Sequence, residues 1–266
     1  MAMQEKFALI TGATSGIGYE LAKLFANDQY NLVIVARNAD ELNTTAIKLS
    51  QQYGVEVVTL AKDLVQREAP QQVYEEVKAK GIQIDVLVNN AGQGQYGLFV
   101  DTDLERELDI IQLNVSAYVS LTKFYLQEMV ARNDGKILNV ASIASKLPGP
   151  WQAVYHATKA FVLSFTEALR SEIKESDVTI TALLPGPTDT DFFNKAQMQE
   201  SKIVQEGDLA DPVQVAKDGY EALMAGDDKV VSGLKNRLQT AVSNVMPDSM
   251  LADTMNKQQR PADTNS

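Results

Sequence analysis

The 266-residue chain has no cysteine, a single histidine and a single tryptophan. Without cysteine there can be neither disulfides nor thiolate chemistry, and one histidine with no clustered partner leaves no ligand set for zinc. Any cofactor is therefore expected to be organic, with no metal site. Basic residues are also scarce, 24 against 35 acidic for a net charge of -11, and they are scattered rather than gathered in a stripe. That balance disfavours nucleic acid as a partner. Apolar runs are short: Asn31-Leu32-Val33-Ile34-Val35-Ala36 falls far below the roughly 18 residues that cross a bilayer. The chain reaches Phe7-Ala8-Leu9-Ile10 with no basic segment leading into a long hydrophobic one, so no signal peptide and a cytoplasmic location are expected. On that footing the sequons Asn43-Thr44-Thr45 and Asn114-Val115-Ser116 are chance matches.

What is present is ample apolar content, 45%, enough for one sizeable core. Short β-branched or apolar runs recur at Phe7–Thr11, Leu32–Val35, Val55–Leu60, Ile84–Val88, Lys136–Val140, Thr179–Leu184 and Lys229–Ser232. Between them lie helical periods, including Ile17–Asn27 and a long one over Leu104–Val130. Strands alternating with helices predict an α/β domain over residues 1–255. Its parallel, doubly wound sheet would be covered on both faces, with ligands beyond the carboxyl ends of the strands. Two regions break the rhythm. Residues 186–210 are polar but carry Phe192, Phe193 and Met198, the pattern of a substrate lid, while 256–266 lacks an apolar period and reads as a disordered tail. In the extension over 233–255, Leu234, Leu238, Val242, Val245 and Met246 form a helical stripe. It is expected to pack on the chain's own core or a second subunit rather than on lipid, since it lacks a basic face.

Gly12, Gly16 and Gly18 follow the first strand and open the first helix, where tight turning and free N–H groups favour a pyrophosphate. Thr14, Ser15 and Ile17 complete that turn. About 20 residues on, where an acid would accept from the adenosine ribose and select NAD, the second strand ends Ala36-Arg37. A guanidinium can instead clamp a 2′-phosphate, so NADP(H) is expected over NAD(H). Asp63 and Leu64 after the third strand are placed to meet the adenine, a turn aspartate being the alternative.

Further on, Tyr155 and Lys159 stand four apart, on one helix face, thirteen residues after Ser142. A cation beside the phenol would favour tyrosinate and bring a group of pKa ~10 toward the range of acid–base catalysis. With the glycine turn this reads as a nucleotide-dependent redox site. His156 points about 100° away from Tyr155 on the helix and is expected at the surface. No G-x-S-x-G elbow occurs, which argues against a serine hydrolase.

These motifs, in order over about residues 6–232, resemble the short-chain dehydrogenase/reductase family. The T-G-x-x-x-G-x-G turn is Thr11 to Gly18, N-N-A-G is Asn89-Asn90-Ala91-Gly92, Y-x-x-x-K is Tyr155 to Lys159, and P-G is Pro185-Gly186. The resemblance implies a single Rossmann-type domain with a seven-stranded sheet in the order 3-2-1-4-5-6-7. It further implies that Tyr155 exchanges a proton with the substrate oxygen, that Ser142 holds that oxygen, and that Lys159 stabilises tyrosinate and bonds the nicotinamide ribose. Asn114 would hold a water for proton resupply, Asn90, Ala91 and Gly92 would line the cofactor channel, and Pro185, Gly186 and Thr188 would orient the carboxamide. A homodimer or homotetramer built on the helices over Asp103–Val130 and Gln152–Lys174 also follows from the resemblance. Taken singly, Ser142 is an ordinary turn residue, Asn114 a cap or surface residue and Tyr155 a packing residue; their joint occurrence favours catalysis.

Gln93, Tyr96, Phe99, Leu147, Pro148, Trp151, Phe192 and Phe193 are expected to line the substrate space, which points to a hydrophobic ketone or aldehyde. The alternatives are a cofactor-sensing regulator without turnover, for which a proton relay would be idle, and an epimerase or dehydratase chemistry on the same scaffold. Within the family, the chain most resembles the broad bacterial branch that includes poorly assigned oxidoreductases.

Overall fold

In β1 (Phe7–Thr11) every residue is buried, and the same holds for the four central residues of β2 (Asn31–Ala36). Strands apolar on both faces need cover on both faces, and the chain supplies it with helices. The computed structural model describes residues 5–243 and 248–262. Its other strands are β3 (Val57–Ala61), β4 (Val86–Asn89), β5 (Lys136–Val140), β6 (Thr179–Leu184) and β7 (Lys229–Val231). All pairings are parallel, in the order β3-β2-β1-β4-β5-β6-β7, with Ile10 opposite Ile34 and Val88 across its two neighbours. This is the doubly wound sheet that the alternation of runs implied.

Side-chain alternation divides the core in two. Ala8 and Ile10 face one layer with Phe25 and Leu32, whereas Phe7 and Leu9 face the other with Val33 and Tyr125. On the first face lie α1 (Gly16–Asn27), α2 (Ala39–Tyr53) and the later helix α9 (Pro212–Ala225); on the second lie α3 (Ala69–Ala79) and α5 (Ala117–Arg132). Local signals set the helix ends: the Asn38 side chain accepts from Asp40 N and Glu41 N to start α2, and Gly54 at φ 72° ends it.

The apolar period over Leu104–Val130 predicted one long helix, but the chain forms α4 (Leu104–Ile111), a π-helical segment at Gln112–Ser116, and α5. The extra residue per turn in that segment is invisible to an apolar period, and such insertions mark functional positions. Asn114 sits within it. The sixth helix, α6 (Ala153–Glu172), carries Tyr155 and Lys159.

After β6 the chain forms α7 (Phe192–Lys195) and α8 (Lys202–Glu206), and after β7 it forms α10 (Leu234–Ser243) and α11 (Asp248–Gln259). Two expectations change here. Asn256–Gln259, read as the start of a disordered tail, completes α11, and Gln259 is buried. Leu234 and Leu238, read as packing residues, are 74% and 62% exposed, while α11 supplies the packing through Leu251 and Met255 against Leu147. Val245 and Met246 of the expected stripe, the side chain of Val242 and the last residues of the expected tail lie outside the described residues. No helix among the described residues is long and apolar enough to cross a membrane.

Candidate active site

The carboxyl ends of the strands open into a cleft of about 1840 Å³, which gathers most of the residues singled out in the sequence. At one end, Gly12 and Gly16 turn the chain in left-handed conformations, φ 67° and 56°, that a side chain would strain. Ser15 stands at the N-cap of α1 without using its side chain as a cap, and Thr14, Ser15, Gly16 and Ile17 line the cleft. Gly18 does not face it. A Cβ there would lie 2.2 Å from Gly12 O and 2.4 Å from Asn90 Nδ2, so its bare backbone lets helix and turn close on each other.

Asn90 serves the turn by a route that the motif does not spell out. Its Nδ2 donates to Thr11 O at 2.9 Å and Gly12 O at 3.1 Å, while Asn90 N and Ala91 N both donate to Thr11 Oγ1. Thr11 was read as the first letter of a motif rather than as a site residue, and it is the hinge pin between β1 and β4. Asn89, its neighbour, is wholly buried and joins Thr122 and Asn139.

Arg37 is exposed at the end of β2 and lines the cleft, with no ion-pair partner among the described residues. Asp63 does both things considered for it, lining the cleft and accepting from Val65 N in its own turn, and Leu64 packs beneath. Ala91, Gly92, Pro185, Gly186 and Thr188 line the middle of the cleft, with Thr188 Oγ1 donating to Gly186 O.

Tyr155, Lys159 and Ser142 meet at the centre. Ser142 follows β5 and caps the 3₁₀ turn Ile143–Lys146, its Oγ accepting from Ala144 N. Lys159 Nζ donates to Val140 O at 2.8 Å and lies 5.9 Å from the Tyr155 ring centre. Burial pushes the lysine down to about 7, and burial likewise pushes the Tyr155 phenol up to about 12, opposed by a hydrogen bond with Ser142. The expected lowering by a neighbouring cation is thus reversed. Desolvation sets the direction for the phenol, opposed by Ser142 rather than by the lysine, and a lysine at about 7 is only a partial cation at neutral pH.

Asn114 is wholly buried and does not line the cleft. Its Oδ1 accepts from Gln93 N at 3.0 Å, and its Nδ2 donates to Gln93 O and Thr158 Oγ1. The bare face of Gly92 looks onto both partners of the expected relay: a Cβ there would lie 3.3 Å from Asn114 Oδ1 and 3.5 Å from Lys159 Nζ.

The substrate end departs most from expectation. Gln93, Leu147, Phe192 and Phe193 line the cleft as predicted, and the Phe192 ring sits 5.1 Å from that of Tyr155. Tyr96 and Trp151 instead stack on each other at 5.6 Å behind the wall, Phe99 is 59% exposed, and Pro148 lines a separate shallow pocket. His156 is buried rather than at the surface, with Nδ1 2.8 Å from Leu147 O and Nε2 3.0 Å from Gln259 Nε2. The wall is completed by Gln152, Met198, Leu251 and Met255, none of which stood out as a substrate contact. Only Met198 carried a signal, as one of the apolar residues in a polar loop.

The cleft fits a dinucleotide: a glycine turn at the start of a helix at one end, Arg37 without an ion-pair partner among the described residues beyond it, and the buried phenol of Tyr155 at the other. A family model described as short chain dehydrogenase matches residues 6–201. A very-long-chain 3-oxoacyl-CoA reductase of Laccaria bicolor is 37% identical over 186 residues, which cover 68% of this chain and 54% of that protein. An uncharacterized oxidoreductase of Staphylococcus epidermidis is 29% identical over 211 residues, or 79% of this chain and 90% of the other. Among solved structures, a short-chain dehydrogenase from Sphingobium yanoikuyae in complex with NADPH superposes with a TM-score of 0.81 at 27% identity, covering 94% of this chain and 99% of its own. The chain spans little more than half the length of the first curated relatives it matches.

Proposed function

Given that the chain belongs to the short-chain dehydrogenase family of nicotinamide-dependent oxidoreductases, we propose that it reduces a hydrophobic ketone or aldehyde with NADPH, Tyr155 acting as the proton donor. The observation that carries this reading is the convergence of Ser142, Tyr155 and Lys159 on the same cleft as the glycine turn. A regulator that only senses the cofactor has no use for such a relay.

NADPH, when bound, supplies the hydride that the carbonyl carbon takes up. The glycine turn and the first N–H groups of α1 would hold the pyrophosphate, Arg37 the 2′-phosphate, and Gly186 and Thr188 the carboxamide. Ser142 Oγ donates to the carbonyl oxygen and fixes it beside Tyr155 Oη. As the C–H bond forms, the Tyr155 O–H bond breaks and its proton passes to that oxygen, giving the alcohol and a tyrosinate. Burial suits the phenol to this task, because a group held at about 12 stays protonated at neutral pH until the developing alkoxide claims its proton. The ammonium of Lys159 steadies the tyrosinate, and the space beside Gly92 between Lys159 Nζ and Asn114 Oδ1 is the route by which a proton returns.

Leu147, Phe192, Phe193, Leu251 and Met255 give the substrate end its apolar character, with α7 and α8 as its lid. Similarity to a protein named as a 3-oxoacyl-CoA reductase places 3-oxoacyl thioesters at the head of the panel to be tried. Leu104, Leu108 and Ile111 on α4 and Phe161 on α6 stay exposed and offer an apolar surface for a homo-oligomer. The test is NADPH and NADH consumption by wild type and Tyr155→Phe across hydrophobic ketones, aldehydes, 3-oxoacyl thioesters and sugars. Turnover of a hydrophobic class that disappears in the variant is expected; turnover that survives the substitution would overturn the mechanism.

A further inference from the structure

The end of the chain contributes more to the site than its polar sequence announces. α11 and the residues just after it touch all three loops that surround the substrate end. From the loop after β4, Tyr96 Oη donates to Gln259 O at 2.6 Å. From the loop after β5, Trp151 Nε1 donates to Asn256 Oδ1 at 2.9 Å. From the segment after β6, Lys202 N donates to Arg260 O, and Ser201 forms a bridge with Pro261.

The tightest attachment is to the helix that bears Tyr155. A carbonyl can only accept, so the His156 nitrogen facing Leu147 O carries the proton, and its Nε2 lone pair accepts from the Gln259 amide. Burial holds the ring below its usual range and keeps it in this neutral form. Both partners are nearly inaccessible, 5% and 1% exposed. Trp151 itself stands at φ 71°, a left-handed conformation uncommon for a bulky residue, held there by its ring stacking, by Gly97 N donating to its carbonyl and by the bond to Asn256. Thus clamped, α11 turns Leu251 and Met255 onto Leu147 in the wall of the cleft. Leu251 and Met255, the part of the wall that α11 supplies, lie beyond the stretch matched by the family model, which ends at residue 201.

We propose that α11 is the specificity element of the site: Leu251 and Met255 receive the apolar part of the substrate, and the His156–Gln259 pair is the positioning clamp that fixes how deep that part can reach. The assignment rests on the reading of the cleft as a carbonyl reductase. It predicts that chain length along the substrate, rather than the chemistry at the carbonyl, responds to changes in α11.

The chain's only tryptophan touches α11, so docking can be followed by fluorescence without turnover. The probes are methyl ketones from butanone to 2-undecanone, titrated against the NADP⁺-loaded protein by Trp151 emission and assayed in parallel with NADPH. Replacing both Leu251 and Met255 by alanine should lower the long-to-short ratio of affinity, and of kcat/KM, at least tenfold. Leu251→Phe, which retains an apolar wall but takes up space, should move the preferred ketone to a shorter chain. Gln259→Leu should red-shift Trp151 and flatten the length profile, while Gln259→Asn should restore part of both.

If all variants keep the wild-type length profile, or if Trp151 shifts with no change in profile, α11 is a structural brace and the proposal is overturned. Failure of the underlying reading looks different: the wild type would bind ketones in order of length yet consume no NADPH with any of them.

Discussion

The two ends of the cleft are built by opposite means. The nucleotide end is made of backbone: glycines in left-handed turns, helix N–H groups and main-chain carbonyls held by Asn90, all within or next to β1, α1 and β4. The substrate end is made of side chains brought from far apart, with Tyr96 reaching Gln259, Trp151 reaching Asn256 and His156 reaching Gln259 across more than one hundred residues of sequence. A cofactor common to many reactions is met by geometry that tolerates almost no substitution. A particular substrate is met by contacts that can be exchanged one at a time.

The comparison breaks most decisively where the ends meet. Tyr155→Phe removes the proton donor while leaving the glycine cradle intact, so turnover should fall by about 10³-fold or more at unchanged NADPH affinity, measured by steady-state kinetics and cofactor fluorescence. At the nucleotide end, Gly18→Ala places a methyl 2.2 Å from Gly12 O, against backbone that cannot swing aside. Overpacking of this kind costs about 1–3 kcal/mol, and an affinity loss of about tenfold to hundredfold for either cofactor is expected by titration. Arg37→Asp should sharpen the contrast by changing selectivity without changing the fold. Loss of a charge-assisted contact worth about 1.5–3 kcal/mol would shift the NADPH-to-NADH ratio of kcat/KM by tenfold or more, and an unaltered ratio would remove Arg37 from cofactor choice.

The smallest effect concerns pH. Lys159 is lowered from 10.5 to about 7, so its cation is present below pH 7 and lost as pH rises through that value, whereas Tyr155 at about 12 does not titrate in this range. Reductive kcat/KM, which reports the free enzyme, should therefore fall about tenfold between pH 6 and 8. Lys159→Arg keeps the charge and should abolish that limb at whatever activity remains; the same limb in the variant would assign it to another group.

The same contrast explains what could be read from sequence. The seven strands and the glycine turn were legible because β-branched runs and glycine spacing are local signals, and Phe7–Thr11, Lys136–Val140 and Thr179–Leu184 begin and end where the runs do. Ser142, Tyr155 and Lys159 were legible as a pattern, but their electrostatics were not. Spacing reports that two groups are close and says nothing of how far both are withdrawn from water. His156 was placed wrongly as facing solvent, because what covers it is α11, and its ring stands edge-on 6.0 Å from that of Tyr155 rather than apart from it. Gln259 is the clearest case. A polar residue in a polar stretch carries no burial signal, yet it is almost inaccessible because a histidine 103 positions earlier gives its amide a partner.

The position of α11 also orders events during synthesis. By the time Lys159 has been made, β1, β4 and β5 exist with the glycine turn; Pro185, Gly186 and Thr188 follow within 30 residues, but Gln259 is 100 residues further along the chain. At about 5–20 residues per second, that leaves roughly 5–20 s in which a nascent chain carries Ser142, Tyr155 and Lys159 without the surface of Leu251 and Met255. On the proposed reading, a chain interrupted in this interval would carry the central side chains without α11, and so without the surface that Leu251 and Met255 present to the cleft.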